Sequence, residues 1–78
     1  MPTVLRVGPY RFYFYSHEPN EPAHIHIDRE NSSAKFWLVP PTLARNVGFN
    51  AKELNKLFKL VKENQDMLLE KWNGYFSA

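Results

Sequence analysis

Residues 24–28 read His24-Ile25-His26-Ile27-Asp28. Strict alternation of polar and apolar residues fits a strand and not a helix, because successive strand side chains point to opposite faces. Ile25 and Ile27 therefore face a core, and His24, His26 and Asp28 share the other side. Any fold for this chain must build a sheet around that segment. Two imidazoles and a carboxylate on one strand face can bind an anion, ligate a metal or move protons.

The neighbouring segments extend the sheet. Val4–Val7 and Tyr10–Tyr15 are β-prone runs separated by Gly8-Pro9, which reads as a hairpin. Any symmetric loop there sets Val7 against Tyr10, Arg6 against Arg11, Leu5 against Phe12 and Val4 against Tyr13, and opposed residues share a face. Residues 16–23 contain Pro19 and Pro22 and read as a loop. Ser33–Val39 alternates again, with Ala34, Phe36 and Leu38 on one side and Lys35 and Trp37 on the other. A polar turn over Arg29–Ser32 then sets Ile27 against Ala34, Ile25 against Phe36, His26 against Lys35 and His24 against Trp37. A one-residue slip would push the apolar set into water.

Pro40-Pro41 reads as the end of the sheet, and Thr42–Asn46 as one short helical turn with Gly48 after it. Asn50 and Glu53 have the spacing of a capping box, and Phe49 is placed for a hydrophobic staple. From Asn50 to about Phe76 the apolar residues, among them Leu54, Leu57, Val61, Leu68 and Trp72, fall on one helical arc. No Gly or Pro intervenes before Gly74, so one long helix is expected. Such a helix would span about 40 Å, whereas a compact chain of this length has a radius of gyration of only ~12 Å. It must either break near Asn64 or overhang onto another chain. Leu60 and Met67 lie off the main arc and would give a homodimer contact. The expected architecture is a single α+β domain over 1–78. It has a four-stranded, mostly antiparallel sheet (about 3–39), a short helical turn (about 41–46) and a long helix (about 50–76) on one face.

Seventy-eight residues bury a modest core, and with no cysteine neither a disulfide nor a thiolate zinc site holds it. The N-terminal segment lacks a long apolar run after a basic start, and no stretch approaches the ~20 apolar residues of a membrane helix. A soluble, cytoplasmic chain is expected. A net charge of +2 does not by itself point to nucleic acid.

Removing the core set leaves Arg6, Arg11, Tyr13, Tyr15, His24, His26, Asp28, Lys35 and Trp37 on the far face of the sheet. Arg6 opposite Arg11 puts like charges side by side, and Lys35 adds a third cation. Asp28 and Glu30 can offset them internally, and a phosphate can do so externally. Cations interleaved with Trp37, Tyr13 and Tyr15 suit a stacking platform for single-stranded RNA. His24 and His26 would add cleavage by general acid–base chemistry with no metal or cofactor. Lys35 or an arginine would stabilise the charged transition state. A metal site would use His24, His26 and Asp28, with His17, Glu18 or Glu21 as further ligands, although the nearby cations oppose a divalent ion. A non-enzymatic protein interface, to a cognate partner or a second copy, draws on the same aromatics and arginines. Lys52, Lys56, Lys59 and Lys62 read as the solvated face of the helix.

Segments Met1–Ser16, Asn20–Asp28, Ala34–Leu38, Ala44–Phe49 and Leu68–Phe76, in this order and spacing, resemble a bacterial family. It is catalogued only as a domain of unknown function, number four thousand one hundred and sixty. Where the family pattern usually has two prolines before its histidine pair, this chain has Ala23 in place of one. The resemblance implies membership of two-gene pairs similar to toxin–antitoxin modules, with a cognate small protein encoded nearby. It supplies no catalytic residue. Its motif residues map to Glu21, His24, His26, Lys35 and Trp37.

Overall fold

The computed structural model describes residues 3–15 and 20–76. Strands β1 (Thr3–Val7), β2 (Tyr10–Tyr13), β3 (His24–Arg29), β4 (Ser32–Leu38) and β5 (Pro41–Val47) precede helices α1 (Ala51–Glu63) and α2 (Gln65–Phe76). The strands form one sheet in sequence order, antiparallel at every step. The architecture is therefore α+β, with β3 as the middle strand.

The expected registers hold across both hairpins. Val7 pairs with Tyr10, Arg6 with Arg11 and Leu5 with Phe12. His24 pairs with Trp37, Ile25 with Phe36, His26 with Lys35 and Ile27 with Ala34. The β3–β4 loop is tighter than expected, since Arg29 already pairs with Ser32. A symmetric loop leaves the register unchanged, so every face assignment there survives. The exception is Val4. A register shift between Thr3 and Leu5 sets Thr3, not Val4, against Tyr13. Val4 instead packs against the core, because a bulge inverts the facing of the residues beyond it.

Two expectations are corrected. The segment 41–46 is a strand and not a helical turn, so the sheet has five strands, not four. The chain reverses at Val39-Pro40, and Leu38 pairs with Pro41. A proline is tolerated as the first residue of an edge strand, where its missing N–H costs no ladder bond. The long helix is also two helices. Asn64 leaves helical geometry at φ −107°, ψ 12° and caps α1, and its side-chain amide donates to the Leu60 carbonyl at 2.8 Å. Gln65 Nε2 donates to the Leu38 carbonyl at 2.7 Å, tying the start of α2 to the end of β4. The bend resolves the conflict between helix length and chain size, and the radius of gyration is 11.6 Å. It also brings Leu60 and Met67 against the core as half-buried residues, so they are no separate outward stripe.

Phe12, Ile25, Ile27, Phe36 and Leu38 of the sheet and Leu57, Val61 and Leu68 of the helices are almost wholly buried together. The Asn50 side chain accepts from the Glu53 amide at 2.8 Å, which is half of a capping box. The other half is replaced. Glu53 instead accepts two bonds from Arg29, at 2.6 and 3.0 Å, and one from the Tyr10 hydroxyl at 2.9 Å. These contacts tie the helix N-terminus to β2 and β3. Between β5 and α1 the backbone of Gly48 adopts φ +96°. A Cβ there would lie 2.7 Å from Ser32 Oγ, so the reversal needs glycine.

The Arg29 guanidinium holds the Glu53 carboxyl below the usual carboxylate range, with the Tyr10 hydroxyl adding to the effect against the cost of burial. A lowered carboxyl adds stability that is present above its unfolded pKa and is lost as pH falls through the folded one. Denaturant titrations of wild type and Glu53→Gln should therefore differ at neutral pH and converge in acid below the carboxylate range. Truncating Leu57 to Ala should cost about 2–5 kcal/mol in the same measurement, since the residue is fully buried.

Candidate functional site on the open sheet face

The helices pack on the side of the sheet that carries Ile25 and Ile27, which leaves the opposite face to be built from side chains alone. Cross-strand pairing sets Thr3, Tyr13, His26, Lys35 and Arg45 in one row from β1 to β5. On one side of this row run Arg6, Arg11, Asp28 and Ser33, and on the other His24, Trp37 and Thr42. A hollow of about 570 Å³ lies over the middle, lined by Tyr13, Tyr15, Glu21, His26, Lys35 and Trp37 together with Arg45.

His26 sits at the centre, half-buried. The Tyr13 ring stacks on it at 5.3 Å between centroids, and Tyr15 meets it edge-on at 4.8 Å. The Tyr13 hydroxyl donates to Asp28 Oδ1 at 3.1 Å. Burial raises the Tyr13 phenol first, and hydrogen bonding to Tyr15 and the negative charge of Asp28 raise it further. This phenol therefore stays protonated and acts as a donor. Lys35 Nζ lies 4.6 Å from the centre of the Trp37 ring and bonds Glu21 Oε1 at 2.5 Å. A cation over an aromatic face is stabilised by the ring quadrupole.

The arginine pair sits at one corner. Arg6 is exposed. The Arg11 guanidinium lies 4.6 Å from the Tyr13 ring centre, and Nε donates to Thr3 Oγ1 at 2.7 Å. Asp28 is the cross-strand neighbour of Arg11, so a carboxylate flanks the like-charge pair within the sheet.

His24 departs from the expected outward position. It is fully buried, and its ring lies 4.7 Å from Trp72 of α2 and 5.8 Å from Trp37. The cause is its place as the first residue of β3, where the sheet ends. Strand parity puts its side chain on the far face, but α2 reaches past that end. Trp72 packs against it, and Trp72 is itself backed by Phe76 at 4.2 Å and Phe14 at 5.6 Å between ring centroids. Nδ1 lies 2.9 Å from the Pro22 carbonyl, which can only accept, so this nitrogen carries the proton. The two imidazoles remain neighbours at 5.1 Å, edge to face. His26 lines the hollow, and His24 is buried beside it.

No group of three or more His, Cys, Asp or Glu side chains among the described residues is arranged to hold a metal ion. His17 and Glu18 lie outside those residues. Sequence reasoning missed Arg45, because 41–46 read as helical. Its signal was hidden by a register shift between Lys35 and Phe36. Leu43 pairs with Phe36 and Arg45 with Lys35, so residues two apart face opposite sides and the alternation disappears.

Residues 10–73 match the family model described as Domain of unknown function (DUF4160), and the chain belongs to that family. No curated protein and no solved structure matches it. Among the described residues no helix is long and apolar enough to cross a membrane.

The two histidines should separate in stability measurements. His24→Ala removes a buried ring and its bond to Pro22, and urea unfolding should show a loss of about 1–3 kcal/mol. His26→Ala should lose less than His24→Ala, because its ring is only half-buried although it gives up contacts with Tyr13, Tyr15 and His24.

Proposed function

We propose that the open sheet face binds single-stranded RNA, and that the protein does so as the small cytoplasmic member of a toxin–antitoxin-like pair. The observation that carries this reading is the row Tyr13–His26–Lys35–Arg45 with Trp37 and Tyr15 beside it, all on one hollow. Flat rings and cations lie side by side there, which is an arrangement that stacks bases while neutralising phosphates. Trp37 and Tyr15 would stack bases, and Lys35 and Arg45 would contact phosphates, with Arg6 and Arg11 extending the basic track. His26, which lines the hollow, would make the phosphate contact or transfer the proton. Cleavage by a symmetrical pair of imidazoles is the weaker part of the reading. His24 is buried against Trp72 and its Nδ1 proton is directed at Pro22, so it would act through its contact with the His26 ring.

Lys35 is held by Glu21, and a protein-docking role for the same face, to a cognate partner or a second copy, draws on the same rings. The two readings separate by salt. A fluorescently labelled oligouridylate should bind with an affinity that falls steeply as salt rises. Trp37→Ala should weaken binding by about 1–3 kcal/mol, the value of one lost stack. Lys35→Gln should reduce the slope against log salt by about 1. Binding that ignores salt and both substitutions would contradict the proposal. Concentration-dependent self-association through Trp37 would favour docking.

A further inference from the structure

A second surface lies outside the hollow, along the free edge of β5. Among the described residues the strand order pairs β5 only with β4, and the strand is exposed along almost its whole length. Edge strands of this kind accept an added strand through their unpaired backbone groups. The side-chain surroundings are unusual for an idle edge. Leu43 and Val47 are 40% and 49% exposed, and Phe58 on the adjoining flank of α1 is 38% exposed. On the helix side of the edge a hollow of about 260 Å³ is lined by Phe36, Leu43, Leu54, Asn55 and Phe58. Asn55 and Phe58 also line the next hollow, whose other walls are Lys56, Lys59 and Lys62.

Charge selects the occupant. From Asn31 to Lys62 the chain carries Lys35, Arg45, Lys52, Lys56, Lys59 and Lys62 but a single carboxylate, Glu53. Glu53 is engaged by Arg29 and Tyr10. The β5 edge is thus flanked by cations on both sides of the sheet, with Arg45 on one and the α1 lysines on the other. A second copy docked edge to edge would bring two such basic borders together. An acidic strand would meet opposite charge on both.

We infer that β5 is a strand-addition site for an acidic, extended segment of a partner protein, which seats one apolar side chain between Leu43 and Phe58. The site is separate from the RNA reading above, since its groove opens on the helix side of the sheet.

The test is an NMR titration of the intact protein with a blocked peptide of alternating glutamate and leucine, matched in length to β5. Amide shifts should cluster in Leu43–Val47 and Asn55–Lys62. Leu43→Glu, which places an acid on the edge, should weaken binding about tenfold or more. A lysine–leucine peptide of the same pattern should leave these amides unmoved, and oligouridylate should leave Asn55–Lys62 unmoved, since the hollow over the sheet face borders β5, Arg45 included, but not α1. Equal binding of the basic peptide would overturn the inference, as would shifts confined to the Tyr13–His26–Lys35 row or a Leu43→Glu variant that binds unchanged. Line broadening that rises with protein concentration and without peptide would point to self-pairing, and would overturn it too. Folding of Leu43→Glu is checked by its remaining amide spectrum, and Phe58→Ser, on the helix side of the same groove, supplies a second variant expected to lose affinity.

Discussion

Ile25 and Ile27 on the middle strand are buried from one side only, by two helices that pack on the same face of a five-stranded sheet. That one-sided cover shapes the rest of the molecule. The apolar set of β2 to β4 is drawn to the helix side, and the other side is held by contacts among polar and aromatic side chains. Tyr13 on Asp28, Lys35 on Glu21 and Arg11 on Thr3 are those contacts. Each satisfies a group on a half-wet surface, where an unpaired charge or donor would be costly. The result is a polar and aromatic face whose side chains are tied to one another across the strands.

The bend at Asn64 sets how far the cover extends. A straight helix would have carried its last turns beyond the sheet. With the bend, and with Gln65 anchored on Leu38, α2 runs back to the end where β3 begins. Trp72 packs on His24 there, backed by Phe14 and Phe76. One imidazole of the pair thereby becomes part of the interior while its neighbour stays at the surface. The same short helices leave β5 at the rim, which gives the molecule an uncovered face and an uncovered edge with different chemistry. Rings and cations mark the face, and apolar side chains with a basic border mark the edge.

Much of the sheet was legible because its information is local and periodic. Ile25 and Ile27 against Phe36 and Ala34 allow one register, and the tighter Glu30-Asn31 loop changes nothing in it. The far-face row from Tyr13 through His26 to Lys35 follows from that parity alone. Where parity is broken the reading failed. A bulge near Thr3 turns Val4 to the core, and one near Ala44 hides β5 and with it Arg45. The helix break left no glycine or proline as a marker. It depends on Asn64 capping α1 and on Gln65 reaching a carbonyl far away in the chain, a tertiary contact that no local pattern encodes. The burial of His24 has the same origin, since parity assigns a face but not whether a distant helix closes over the strand's first residue.

The central proposal is that the two imidazoles have different roles, with His26 presented to a ligand and His24 buried beside His26. Chemical modification with diethyl pyrocarbonate, read residue by residue by mass spectrometry with and without oligouridylate, tests it most directly. The account predicts that His26 reacts in the folded protein and slows when the oligonucleotide is added, while His24 reacts only after unfolding. Equal reactivity of both rings in the folded protein, or a His26 rate indifferent to the oligonucleotide, would contradict it.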